Sequence, residues 1–228
     1  VRNRDARVAG ILYFLAIVVG WFTLRYVPEK LVVPNNAVAT AHNIVADEFL
    51  ARLGMLGDLL TGVVWLAVVL ALYRLLEDVD RTQARLMVIF GAFMQVPLYF
   101  VNVLNYAAAL LLVGDTPFLS AFSNSQRDAM AMLFLRLHHY ELLASFVFAG
   151  LWLFPFGILV YKSRYLPRIL GVWLVLDCFA WLAISICGFL TPQYADIVGT
   201  ITFPLTFAEV AITLWLLIMG ATAVGRKA

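Results

Sequence analysis

The sequence predicts an all-α fold: an integral membrane bundle of six transmembrane helices, a single domain over residues 1–228, with amphipathic helical extensions on the outer side. Three observations predict it. Hydrophobic residues make up 64% of the chain and charged ones 13%, whereas a soluble domain is nearer half apolar and a quarter charged. The mean hydropathy is +0.92, and the apolar residues gather in runs of about 20, the length a helix needs to cross hydrocarbon. Aromatic residues reach 14%, which excludes disorder. An open sheet edge has no partners in lipid, so no β-sheet is expected.

The spans follow in order. Val8 to Leu24 is uncharged and follows Arg2, Arg4 and Arg7. No small-residue cleavage pattern comes after it, so it reads as a retained helix rather than a signal peptide. Pro34-Asn35-Asn36 offers a helix start, and Ala37 to Leu50 reads as an amphipathic helix with Val38, Ala41, Val45 and Phe49 on one side. Leu53 to Leu75 is the second span, with Asp58 near one end and Arg74 near the other; Leu86 to Gly114, the third, is uncharged. A second amphipathic stretch, Ser125 to Tyr140, leads into the fourth span, Leu142 to Tyr161. The fifth, Ile169 to Leu190, is interrupted only by Asp177, and the sixth, Ile197 to Gly225, only by Glu209.

Charge sets the orientation. With the N-terminus inside, the inner face holds Arg2, Arg4, Arg7, Arg74, Arg81, Arg85, Lys162, Arg164, Arg168, Arg226 and Lys227; the outer face holds Arg25, Lys30, Arg52, Arg127 and Arg136. Lys and Arg favour the cytoplasmic side, so both termini are expected there. The net charge of +2 leaves no basic excess for phosphates, and nucleic acid is not an expected partner. Cys178 and Cys187 lie nine residues apart on one span, about 13 Å along a helix, too far for a disulfide.

The stretch Tyr161-Lys162-Ser163-Arg164-Tyr165-Leu166-Pro167-Arg168-Ile169-Leu170-Gly171 resembles the most recognisable motif of a bacterial family of multi-pass membrane proteins, domain of unknown function 4386. So do Ala39-Thr40-Ala41-His42-Asn43-Ile44 and Phe49-Leu50-Ala51-Arg52-Leu53-Gly54 with Asp58. The resemblance implies a six-helix fold, a bacterial cytoplasmic (inner) membrane and no particular activity. Read locally, Pro167 suits a first helical turn, and Lys162, Arg164 and Arg168 hold that end at the inner interface.

An ionisable residue inside a membrane helix costs a few kcal/mol, which makes it the default pointer to function. Helical spacing puts Thr202, Thr206, Glu209 and Thr213 on one stripe of the sixth span and Gln95, Tyr99, Asn102 and Tyr106 on one stripe of the third. Asp58 and Thr61 share a face, as do His138, Glu141 and Ser145, and Asp177 and Trp181. These stripes are expected to face one another, because lipid offers them no partners. Counting from the span ends places Asp58, Asn102, Asn105, His138, His139 and Glu141 toward the outer side, with Asp177 and Glu209 near mid-span. The expectation is an outward-open polar cavity with two acids at its floor. Both acids should point into the bundle, within reach of each other or of Asn102, His138 or Ser145.

Three functions compete. The first is binding of a small molecule, proton or cation, for transport or sensing, through Asp58, Asn102, Asn105, His138, Glu141, Asp177 and Glu209. The second is an accessory or structural subunit of a larger membrane complex, with other membrane subunits as partners besides the lipid bilayer. The third is a metal-dependent intramembrane hydrolase: His138, His139, Glu141 and Asp58 are the ligand types of a zinc site, although adjacent histidines point about 100° apart on a helix and no HExxH pair is present. Phosphate loops, a GxSxG elbow and a CxxC pair are missing, so no catalytic residues are assigned and no cofactor other than that zinc is considered.

Overall fold

The computed structural model describes residues 2–114 and 116–221; Arg226, Lys227 and the end of the sixth span expected at Gly225 lie outside the described residues. Among the described residues there is no strand, and six helices are long and apolar enough to cross a membrane: Arg2–Leu31, Glu48–Leu76, Arg81–Val113, Asn124–Lys162, Arg168–Leu190 and Pro192–Ile218. The all-α expectation therefore holds, with differences at the span ends.

The first span does not stop at Leu24. It continues to Leu31 through a π-helical turn at Phe22–Tyr26. Pro28 has no N–H to offer the carbonyl four residues back, Leu24, which lies inside that wider turn. The third span repeats the device, with a π-turn at Ile89–Met94 and Pro97 just beyond it. Arg25, which reads as a terminus in the sequence, pairs with Glu29 one turn on at 2.6 Å.

The short helix Ala37–Ala46 starts where expected: the Asn36 side chain accepts from the Ala39 N–H at 3.0 Å. It ends at Ala46 rather than at Leu50, with Phe49 already in the next helix, and three of the four residues on its expected apolar side point away from the protein. Thr40, Ala41 and Ile44 are buried, while Val38, Val45 and Phe49 are exposed. In a bilayer the apolar stripe need not be the packed one, because the surroundings are as apolar as the core. Thr40 ties this helix down: its hydroxyl donates to the Val33 carbonyl at 3.2 Å and accepts from the Val33 N–H at 2.9 Å. The Ala39–Ile44 motif thus has a structural use. The helical stretch before the fourth span is no separate element but part of one helix from Asn124 to Lys162.

The chain divides into two compact units. One takes the residues up to Ala16, Val63–Val96 and everything from Leu143; the other takes Ile17–Gly62 and Pro97–Leu142. In the first, the fourth and fifth spans meet at backbone distance. A Cβ on Gly157 would lie 2.6 Å from the Gly171 carbonyl, and one on Gly150 would lie 2.8 Å from that of Cys178. Small residues at such positions let helices gain contact without a hydrophobic driving force. Further along the same seam, the Ser185 hydroxyl donates to the Leu143 carbonyl at 2.7 Å. Tyr13, Trp65, Trp152 and Phe156 build an aromatic core, with Trp65 and Trp152 edge to face at 4.9 Å. The Trp65 indole donates to the Gly91 carbonyl in the π-turn at 2.9 Å.

Two loops of this unit explain the Tyr161–Gly171 motif. Asp80 caps the third span through the Thr82 and Gln83 N–H groups and also receives Lys162 at 2.9 Å, which holds its carboxyl below the usual range. The Tyr165 hydroxyl donates to the Leu75 carbonyl at 2.7 Å, and burial pushes that phenol up. The motif is a lock between loops as well as a basic anchor. In the second unit, Val27, Leu31, Ile44, Ala51, Tyr106 and Ala109 belong to one buried apolar cluster.

Candidate functional site

In the first unit the site is built on the first, fifth and sixth spans. Glu209 sits between two donors: the Tyr13 hydroxyl gives to one carboxylate oxygen, and the Trp181 indole gives to the other at 3.0 Å. Trp181 stands one turn beyond Asp177, as the sequence spacing places it. Asp177 itself is fully buried, and neither of its carboxylate oxygens has a hydrogen-bond partner. Asp177 therefore stands one helical turn from the indole that reaches Glu209. One carboxylate thus has its donors and its neighbour has none. The threonines of the Glu209 stripe do not reach across: Thr202, Thr206 and Thr213 each donate to a carbonyl of their own helix, at 2.7, 2.9 and 2.7 Å.

In the second unit the other candidates form one network. His138 meets Asp58 at 3.2 Å through Nε2, and the Asn102 amide donates to the His138 carbonyl at 3.1 Å. Asn105 donates to Asn102 at 3.2 Å and to Glu141 at 3.1 Å. Tyr106 packs its ring edge to face on His138 at 5.5 Å. Helical spacing makes the network: Asn102 and Asn105 lie three apart on one helix, as His138 and Glu141 do on another. His139, the adjacent histidine, is exposed. Of the set suggested for zinc, His138 contacts Asp58 and Glu141 contacts Asn105. Among the described residues no three His, Cys, Asp or Glu side chains converge as a metal requires.

This unit also contains a cavity of about 380 Å³, with His138 in its lining beside Arg136, His139 and Tyr106. Sequence reasoning missed Tyr13 and Arg136. A lone tyrosine in an apolar run carries no local signal of an acid partner 196 positions away. Arg136 had one: it lies three residues before His139 on the same helix face.

Six apolar spans carrying buried acids define a multi-pass membrane protein. The chain matches the family described as Domain of unknown function (DUF4386) over residues 8–220, and it belongs to that family. Over 75 residues it is 36% identical to an uncharacterized protein of Archaeoglobus fulgidus, a stretch that is 33% of this chain and 43% of that protein. The chain thus spans under half the length of the relative it matches. No solved structure matches it.

Proposed function

We propose that this protein binds a proton or small cation between Asp177 and Glu209, as a step in transport or sensing across a bacterial cytoplasmic membrane in which both termini face the cytoplasm. The observation that carries the reading is Asp177. A buried carboxylate without a donor is costly, and such groups are normally paired, protonated or bound to a cation. Glu209, with Tyr13 and Trp181 already on it, supplies the second acid at which a proton or ion is held or handed over. Two intramembrane acids, one hydrogen-bonded and one without a donor, suit a carrier, because one positive charge held by both lowers the cost of burying either.

Trp181 makes the site its own reporter. Indole emission in reconstituted protein, recorded from pH 4 to 10 with and without sodium or potassium, is expected to show one step. Glu209→Gln should abolish it, Asp177→Asn should move it or abolish it, and Trp181→Phe should remove the signal. A flat wild-type response to both pH and alkali cations would overturn the reading. The accessory-subunit reading gains no comparable support, since the exposed apolar side chains Ile169, Phe179 and Ile201 are what lipid contact alone requires.

A further inference from the structure

The cavity of the second unit has a chemistry of its own, independent of the two acids. Its lining combines the apolar Leu24, Pro28, Val32 and Leu135 with the polar Asn35, Arg136, His138 and His139. No Asp or Glu is in the lining, and the nearby Asp58 is engaged with His138. Arg136 has no carboxylate partner among the described residues. Its guanidinium donates to the neutral Asn35 side chain at 2.5 Å. A guanidinium has five donors in a planar fork that matches a carboxylate two at a time, so one neutral acceptor leaves most of it unused. At about 380 Å³ the cavity falls at the small end of the ~300–1,000 Å³ typical of ligand sites, room for one chain rather than two.

We propose that this cavity is a binding site for a single-chain anionic amphiphile drawn from the membrane, a long-chain fatty acid, with its carboxylate on Arg136 beside His139 and its chain along Leu24, Pro28 and Leu135. The charge complementarity selects the headgroup, and the apolar lining selects the chain. Asn35 then acts as a neutral stand-in that yields its bond to the incoming carboxylate. This site does not depend on Asp177 or Glu209.

The test uses the full chain in nanodiscs of neutral phosphatidylcholine with a photoreactive diazirine palmitate, followed by peptide mapping. Crosslinks are expected within Leu24–Val32 and Met132–Leu142, displaced by palmitate but not by hexadecanol or acetate. Arg136→Gln should cut the yield at least tenfold, and Arg136→Lys should retain part of it. Asn35→Asp keeps the arginine and places a carboxylate on it from within, so it should lower the yield as far as Arg136→Gln does. Asp177→Asn should crosslink as the wild type does, which separates this site from the proton or cation site. Crosslinks scattered over lipid-facing residues, displacement by hexadecanol or by acetate alone, or full yield in Asn35→Asp with folding intact would each overturn the proposal.

Discussion

Asp177 and Glu209 are both intramembrane acids, yet their surroundings assign them opposite effects on stability. Asp177 makes no hydrogen bond, so removing its charge and polarity removes a penalty. Glu209 accepts from Tyr13 and Trp181, so removing it takes away two hydrogen bonds that link the first, fifth and sixth spans. Asp177→Leu, close to isosteric, is expected to stabilise the protein by about 1–3 kcal/mol, and Glu209→Leu to destabilise it by a similar amount. Denaturant melts of the two variants in the same mild detergent check the pair. A destabilised Asp177→Leu would show that the aspartate is held by the fold and not kept for a ligand. The positions of both acids were legible in the sequence, because a charge in an apolar run stands out. Their difference was not, since it depends on Tyr13, a residue that a helix of the first span presents with no pattern around it.

At the scale of helices, what decides packing is how near two backbones come. Gly157 and Gly171 each leave no room for a Cβ against the other's carbonyl, both at 2.6 Å. Gly199, by contrast, has nothing within 4 Å of where a Cβ would stand. Glycine inside a helix costs roughly 0.5–1 kcal/mol relative to alanine, so without a packing role it is a loss. Gly157→Ala is expected to destabilise by about 1–3 kcal/mol, because backbone must shift to admit the methyl. Gly199→Ala should stabilise by up to about 1 kcal/mol. Thermal unfolding followed by helical circular dichroism distinguishes them, and equal behaviour of the two variants would refute close backbone packing of the fourth and fifth spans. Span cores were legible from hydropathy, whereas span ends were not. Arg25 and Pro28 carry the usual signs of a helix stop. The helix passes through them because a π-turn absorbs the proline and Glu29 pairs with the arginine. The exposure of Val38 and Val45 on Ala37–Ala46 has a related cause: periodicity finds the apolar side but not whether protein or lipid covers it.

For the molecule as a whole, the solvent changes the meaning of exposure. Leu190 at 76%, Phe93 at 72% and Phe49 at 72% would mark a sticky interface on a soluble protein. On a chain with six crossing helices they are the surface that hydrocarbon requires. The remaining asymmetry is electrostatic. Arg74, Arg81, Arg85, Lys162, Arg164 and Arg168 crowd the two loops at Glu77–Asp80 and Ser163–Pro167, whereas Arg127 and Arg136 lie in the first half of the Asn124–Lys162 helix with few basic neighbours. Because basic residues next to spans favour the cytoplasmic side, the first group is the one expected to face the cytoplasm. Asp78 and Ser125 are both exposed and lie in the two contrasting regions, which makes them suitable reporters. The two native cysteines are buried and give little background. In intact cells a membrane-impermeant maleimide is expected to label Ser125→Cys at once and Asp78→Cys only after the membrane is opened. The reverse order would invert the topology and put the Arg136 cavity on the cytoplasmic side. Labelling of both positions from one side would contradict the single crossing that separates them, the third span Arg81–Val113, and with it the assignment of that helix as a span.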